Sequence, residues 1–403
     1  MERERTMRTC GMVFLVLGGL LLVEQPEALP REAAAPVKLT DYFPPPESKG
    51  GWRTLLPDQG PPDAAQKAKI RATAGVDWEK LAAAWEHNLR AEGPSMLLVI
   101  RRGYIVGEWY NEEWLKTWGR DKAPGFYSTT KAYISTAFGL LLDDSDKGQL
   151  PGGKKLTLDT KVCNKEWLPE ALPLSDPRKA DITLRHLLFA TSGIPREGLP
   201  IPDEARNVSG PFEMALGHVK GSPWTTLTGE PGTMFNYSSP GVLHLILVFN
   251  HAAGMDLLPY IKPRLCDPIG MENVGWGKTG GKGFIGPYCS PGGFNCSGRD
   301  HARFCYLAMH RGNWAGKQVV PASYYDWAFQ GTKANPAYGA QWWLAPRYND
   351  VPADLVQTYG HLYNDGYLVP SLDLVFVRLG RGEKFPPGFQ SDLVKKVLAA
   401  VEK

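Results

Sequence analysis

Cysteine and excess charge are both scarce in this chain of 403 residues. Its six cysteines form no Cys-x-x-Cys pair and no cysteine–histidine cluster at zinc spacing, which argues against a structural zinc module. Lysine plus arginine exceed aspartate plus glutamate by only 45 to 42, with no long basic run, so nucleic acid is not an expected partner. The Walker, Gly-x-Ser-x-Gly and His-Glu-x-x-His patterns are also missing. These absences exclude a P-loop, a nucleophile elbow and a zinc-protease helix.

Long apolar runs are equally rare, and the one at residues 12–23 follows three arginines. A basic start before a short apolar segment is typical of an export signal, and this segment is too short to span a bilayer comfortably. The cleavage site at residues 33–35 is weak. We therefore interpret residues 1–35 as a signal peptide or an uncleaved signal anchor. The protein is expected to be periplasmic or extracellular, and an uncleaved segment would attach it to a membrane.

Five cysteines follow the leader, and an odd number cannot all pair. Cys289 and Cys296 flank a loop rich in proline and glycine, and could form a disulfide in an exported protein. Free thiols in the core are the equal alternative.

The rest of the chain reads as a proline-rich linker over residues 36–76 and one large domain over residues 77–403. Hydrophobic periodicity predicts helices over 77–92, 128–144, 182–190, 240–253, 299–311 and 389–401. β-Rich runs predict strands over 95–101, 104–110, 338–344, 357–362 and 373–379. Residues 195–232 are expected to be mostly loop. Strands at both ends with helices between them predict a mixed α/β fold. In it, both chain ends build one antiparallel sheet, helices flank the sheet, and a mainly helical region is inserted.

The most informative short pattern is Ser128-Thr129-Thr130-Lys131, which precedes an apolar stretch over residues 132–142. A serine and a lysine three residues apart share one face of a helix. The dipole at a helix start and burial both disfavour a further positive charge, so Lys131 can be neutral enough to accept a proton. Ser128 beside such an amine would be an activated nucleophile.

With its neighbours, this pattern resembles the serine β-lactamase and penicillin-binding superfamily, and most closely its class C-like branch of esterases and D-amino-acid peptidases. The resemblance covers roughly residues 75–402 and implies a β-lactamase/transpeptidase-like fold. The stretches that carry it in order are residues 99–106, 181–188, 191–194, 266–271, 292–300 and 374–378.

Tyr237-Ser238-Ser239 is similar to the second box of that superfamily, Tyr-x-Asn or Tyr-x-Ser. The resemblance implies that Tyr237 shuttles a proton between Ser128 and the leaving group, with Ser239 on the substrate side. A phenol has a pKa near 10. We therefore expect Lys131 beside it to lower that pKa.

The third box is Lys-Thr-Gly in β-lactamases and His-x-Gly in many related esterases. We interpret the literal triplet Lys278-Thr279-Gly280 as a decoy in a loop, and residues 359–364 as the true position. There His361 can exchange a proton near neutral pH, while Tyr363 replaces the glycine that lets substrate approach the strand. The resemblance implies an oxyanion hole made by the backbone N–H groups of Ser128 and Asn364.

The sequence thus predicts a serine hydrolase that uses Ser128, Lys131, Tyr237 and His361, forms an acyl-enzyme, and needs no metal or organic cofactor. A small ester, an amide or a D-amino-acid peptide is the expected substrate. The replacement of glycine by Tyr363, and of lysine by His361, puts β-lactam hydrolysis or DD-peptidase activity second. The rival from another class is a non-catalytic binding or scaffold protein on the same fold, with Tyr363 plugging the cleft.

Overall fold

The computed structural model describes residues 38–402, except 204, 206 and 207. The predicted leader at residues 1–35 lies outside the described residues. Within them the helices are α1 Ala64–Ala74, α2 Trp78–Asn88, α3 Glu112–Thr117, α4 Thr130–Asp146, α5 Leu184–Leu188, α6 Pro211–Leu216, α7 Ser239–Ala253, α8 Leu257–Ile261, α9 Gly298–Met309, α10 Ala322–Ala328 and α11 Phe389–Ala399. The strands are β1 Ser95–Arg101, β2 Tyr104–Tyr110, β3 Gly275–Thr279, β4 Tyr288–Asn295, β5 Asn313–Trp314, β6 Lys317–Gln318, β7 Trp343–Leu344, β8 Val356–Thr358, β9 Asp365–Val369 and β10 Leu374–Gly380.

One six-stranded sheet organises the fold, in the order β2-β1-β10-β9-β8-β7. Every neighbouring pair is antiparallel, and the two chain ends meet where β1 pairs with β10, with Val99 opposite Phe376. The hairpins β3–β4 and β5–β6 form two smaller sheets. The predicted fold class is confirmed.

Helices cover both faces of the sheet because its central strands are apolar on both sides. Along β1, Met96, Leu98 and Ile100 pack into the larger core with α4, α7 and α9. The alternate residues Leu97 and Val99 pack into the smaller core with α1, α2 and α11. Successive side chains of a strand point to opposite faces, so one fully buried strand contributes to two cores.

Several predicted elements differ from the structure. The predicted strand over 338–344 shrinks to Trp343–Leu344, and strand β9 was not predicted. The stretch assigned to the linker contains α1, whose N-terminus is a capping box formed by Asp63 and Gln66. Hydrophobic periodicity does not predict either kind of element: a two-residue strand is too short to show a period, and α1 buries only Ile70 and Ala74.

Two findings concern membranes and thiols. Within the described part of the chain, no single helix could cross a bilayer, and Ser239–Ala253 with Leu257–Ile269 passes on length and composition only as a bent pair. Cys289 and Cys296 do not pair with each other, because both are free, buried thiols. Of the two alternatives for the cysteines, the structure has free core thiols.

Candidate active site

Ser128 lies in a single 3-10 turn, Tyr127–Thr129, that runs directly into α4. Tyr127 has a φ of 52°, in the left-handed region that a bulky residue rarely adopts. Strand β4 holds this turn in place: Phe126 N–H donates to the Phe294 carbonyl at 2.8 Å, and Phe294 N–H donates to Thr130 Oγ1 at 3.1 Å. Backbone strain persists only where the surroundings impose it, and such positions concentrate at functional sites.

A chain of hydrogen bonds begins at Ser128. Lys131 Nζ lies 2.7 Å from Ser128 Oγ and 3.0 Å from Ser239 Oγ. Ser239 Oγ donates in turn to the Glu197 carboxylate, which also accepts the backbone N–H of Ser239 at 3.1 Å. The predicted nucleophile and amine therefore meet, and two further side chains join them.

Burial dominates the electrostatics of Lys131, which is 2% exposed. Desolvation lowers the pKa of its amine to about 8, although the nearby Glu197 carboxylate acts to raise it. Neutral amine is therefore present near physiological pH in useful amounts, which is the condition for accepting a proton from Ser128.

Tyr237 lies just before α7, and its ring centroid is 5.1 Å from Lys131 Nζ. Tyr338 and Trp343 pack beside that ring, at 5.9 and 5.7 Å between centroids. Burial raises the pKa of Tyr237 well above its ordinary value, and the opposing effect of the Ser128 hydroxyl is smaller. The expected lowering of this pKa by Lys131 is therefore wrong, because desolvation of the phenolate outweighs nearby donors. Tyr237 is a neutral hydroxyl that can donate or relay a proton.

The third-box segment is a turn, although a strand was predicted over 357–362. Strand β8 ends at Thr358, and His361–Tyr363 form a 3-10 turn in which Leu362 and Tyr363 have φ of 61° and 55°. Arg378, fully buried on β10, donates to the carbonyls of both residues. The turn is shaped by that buried guanidinium, because two backbone carbonyls must converge on it.

His361 is exposed at this turn, and its ring packs edge-on against Tyr127 at 5.3 Å. It thus lies beside the nucleophile turn, in contact with Tyr127. Tyr363 packs against Phe385 and Phe389 at 4.6 and 5.5 Å between ring centroids.

Asn364 is completely buried and ties the turn to its surroundings. Its side chain accepts the Gly380 N–H at 3.0 Å and donates to the His361 carbonyl at 2.7 Å. Its backbone N–H donates to the Gly360 carbonyl at 3.2 Å, and its own carbonyl accepts from Thr129 Oγ1. The role of Asn364 as an oxyanion donor stays a prediction, and it requires the bond to Gly360 to open.

The literal triplet at residues 278–280 begins on strand β3, where a loop was predicted. Pairing with β4 makes the strand, and glycine-rich stretches carry little sequence signal for such pairing. Lys278 Nζ is 3.2 Å from the Asp256 carboxylate.

Glu197 is the site residue that the sequence did not reveal. It lies in the stretch assigned to loop, and 42 positions separate it from Ser239. No short motif connects the two; only its place shortly after Thr191-Ser192-Gly193 could have drawn attention to it. Among the residues that the structure describes, no three histidine, cysteine or carboxylate side chains are grouped so that they could hold a metal ion.

A serine, a buried lysine and a tyrosine grouped beside an antiparallel sheet indicate a protein of the serine hydrolase class. The model of the Beta-lactamase family matches residues 82–400, and the chain belongs to that family. No curated protein matches the chain.

Solved structures give the same fold. One is a Bacillus anthracis protein provisionally named a 6-aminohexanoate-dimer hydrolase, with 16% identity, a TM-score of 0.62, and coverage of 89% of this chain and 88% of that one. EstCE1, described as a hydrolase with promiscuous acyltransferase activity, has 18% identity, a TM-score of 0.59, and coverage of 79% and 99%. A penicillin-binding protein homologue from Pyrococcus abyssi has 18% identity, a TM-score of 0.57, and coverage of 85% and 78%.

Proposed function

We propose that this protein is a serine hydrolase that cleaves a small ester, an amide or a D-amino-acid peptide through an acyl-enzyme on Ser128. The observation that carries the proposal is the contact between Lys131 Nζ and Ser128 Oγ at 2.7 Å, with a buried amine whose pKa is about 8. An amine held neutral beside a hydroxyl is a competent general base.

The reaction follows from the positions of three side chains. Neutral Lys131 accepts the Ser128 proton as Oγ attacks the carbonyl carbon, which gives a tetrahedral oxyanion held by the backbone N–H of Ser128. The proton then passes from the Lys131 ammonium, through the neutral Tyr237 hydroxyl, to the leaving alcohol or amine. Water attacks the acyl-enzyme, its proton returns along the same path, and the acid leaves as Ser128 regains its hydrogen.

An apolar cavity next to this relay favours a substrate with an apolar acyl or leaving group. The cavity has a volume of about 510 Å³, and Ser239 and Glu197 line one side of it. Its other walls include Met214, Trp224 and Leu243. Small-molecule sites are commonly concave, mostly apolar and of this size, with a few polar groups at one end.

The placement of Tyr363 supports an enzyme over the scaffold alternative. The scaffold reading required this ring to plug the cleft, whereas the rings nearest to it are those of Phe385 and Phe389, with that of Tyr359 farther away at 6.3 Å. β-Lactam hydrolysis stays second, because His361 stands where β-lactamases place a lysine.

A fluorophosphonate probe tests the proposal. Wild-type protein is expected to be labelled, and Ser128→Ala is expected to lose the label while keeping its circular dichroism spectrum. The matched control is Ser135→Ala on the same helix, which should label normally. Unlabelled wild-type protein that is well folded would instead support the scaffold.

A substrate panel tests the choice of reaction. We expect p-nitrophenyl esters of four to eight carbons to be hydrolysed faster than the acetate, because the longer chains can fill the apolar cavity. Nitrocefin and D-alanyl peptides in the same panel give the comparison. Fast nitrocefin turnover with inert esters would reverse the order of the two activities.

A further inference from the structure

The carboxylate of Glu197 reaches the predicted nucleophile through two other side chains. Glu197 accepts from the Ser239 hydroxyl, and that oxygen lies 3.0 Å from Lys131 Nζ, which is 2.7 Å from Ser128 Oγ. Two hydrogen bonds from backbone N–H groups join the loop to the start of α7: Glu197 N–H donates to the Tyr237 carbonyl at 3.3 Å, and Ser239 N–H donates to the Glu197 side-chain carboxylate at 3.1 Å. The segment that carries the acid and the segment that carries Tyr237 therefore move together.

We infer that Glu197 is a positioning residue of the site: through Ser239 it holds the Lys131 amine against Ser128, and it places a negative charge close to that amine. The inference rests on the proposed function and deepens it. Glu197 touches neither Ser128 nor, by this assignment, the reacting carbonyl. It acts on the reaction through Lys131 and, by its charge, through the neighbouring phenol of Tyr237.

The charges around the amine support this assignment. Glu197 is the only charged group that acts appreciably on Lys131 among the described residues, and it opposes the desolvation that favours the neutral form. Other ionisable groups on the surrounding elements are Tyr237 before α7, Tyr338 beside its ring, Tyr127 in the turn that carries Ser128, Tyr359 and His361 after β8, and the arginines Arg347 and Arg381. Glu197, Tyr359 and Arg347 act on Tyr237, and His361 contacts Tyr127.

A purely structural role is the competing explanation. A carboxylate that accepts the first N–H group of a 15-residue helix stabilises that helix whatever lies beyond it. The two roles make different predictions for Lys131: a helix cap affects only stability, whereas a positioning residue affects the titration of the amine.

Titration of Lys131 itself distinguishes the positioning role of Glu197 from a purely structural role. In full-length protein labelled with ¹³Cε-lysine, the Lys131 signal is assigned by its loss in Lys131→Arg and followed by NMR against pH. In Glu197→Gln we expect the midpoint to fall by about one pH unit, because an opposite charge within a few ångströms has been removed. Glu230→Gln is the matched control, since it removes an exposed carboxylate that is paired with Arg178, and it should leave the midpoint unchanged. Equal midpoints in wild type and Glu197→Gln overturn the inference.

The second readout is the kinetics of hydrolysis of an ester that the wild-type protein cleaves. Above about pH 9, where the amine is largely neutral in every form, Glu197→Gln and Ser239→Ala are each expected to lower kcat roughly tenfold, since each breaks a hydrogen bond that involves a charged group. The double variant should be no slower than the worse single variant, because both break one path. Glu197→Asp, which keeps the charge, should restore the wild-type midpoint even if Glu197→Gln folds poorly. Multiplying effects in the double variant would refute the path through Ser239.

Failure of this inference can be told apart from failure of the proposed function. The NMR midpoint needs no turnover, whereas the fluorophosphonate test concerns Ser128 alone. A labelled wild type with an unmoved midpoint rejects only the role of Glu197.

Discussion

At the scale of single residues, the amine of Lys131 decides the chemistry. Burial at the start of α4 lowers the pKa of this amine to about 8. Burial raises the pKa of the neighbouring Tyr237, so its hydroxyl stays protonated. One environment thus makes an amine easier to deprotonate and a phenol harder, because desolvation disfavours the charged form of each. Lys131 can therefore act as the base and Tyr237 as the proton donor, because an amine is charged when protonated and a phenol is charged when deprotonated.

Lys131→Ala is expected to lower kcat/KM by about 10²–10⁴-fold, the usual contribution of a general base. The esters of the substrate panel are the assay. Lys147→Ala, an exposed lysine at the end of the same helix, is the control and should retain full activity. Near-normal turnover in Lys131→Ala would remove the lysine from the mechanism.

The pH dependence has a definite sign. Protonated Lys131 cannot accept the Ser128 proton, so kcat/KM should rise with pH through about 8 and level off above it. Lys131→Arg keeps a permanent positive charge and should be inactive at every pH in that range. A rate that falls across the same interval in wild-type protein contradicts a neutral amine as the base.

At the scale of elements, the turn after β8 depends on a neighbouring strand. Leu362 and Tyr363 both have positive φ, and the Arg378 guanidinium on β10 binds their carbonyls. Arg378 also donates to Asn88 Oδ1 on α2 at 3.0 Å. A buried cation thus connects one face of the sheet to the rim of the site.

Arg378→Met should destabilise the protein by about 3 kcal/mol, because it leaves the buried Asn88 Oδ1 and the partly buried carbonyls of Leu362 and Tyr363 without their donor. Urea unfolding measures the free energy, and ester hydrolysis measures the site. We expect activity to fall as well, since His361 and Asn364 lie on the turn that loses its support. Arg90→Met, at an exposed position, should change neither quantity, and a fully active Arg378→Met would show that the turn holds its shape alone.

At the scale of the whole molecule, the segment before α1 is part of the folded body. Glu47 accepts from Arg299 at 2.6 Å and from the fully buried Arg303 at 2.7 Å. Arg303 also donates to the carbonyls of Pro44 and Pro45. The segment around residues 44–47 is therefore bound to α9 through the two arginines.

Glu47→Ala is expected to cost about 2 kcal/mol of unfolding free energy, because two largely buried cations each lose one charged hydrogen-bond partner, although Arg299 keeps Glu108 and Arg303 keeps Asp300. Glu92→Ala is the matched control: its partner Lys384 is exposed, and such pairs contribute less than about 1 kcal/mol. Urea denaturation of both variants gives the comparison. Equal, small effects would mean that the segment adds little to stability.

The sequence by itself determined the elements that depend on local pattern. Short continuous apolar runs specify β1 and β10, whose residues are buried on both faces of the sheet, and a longer apolar run specifies α4. The spacing of Ser128 and Lys131 placed both on one helical face, and they meet as expected. Only the tertiary structure decided the remainder of the site. The contact of Glu197 with Ser239 and that of Thr129 with Asn364 join residues 42 and 235 positions apart. Loops bring such pairs together, and their conformations are decided by long-range contacts that no local period records.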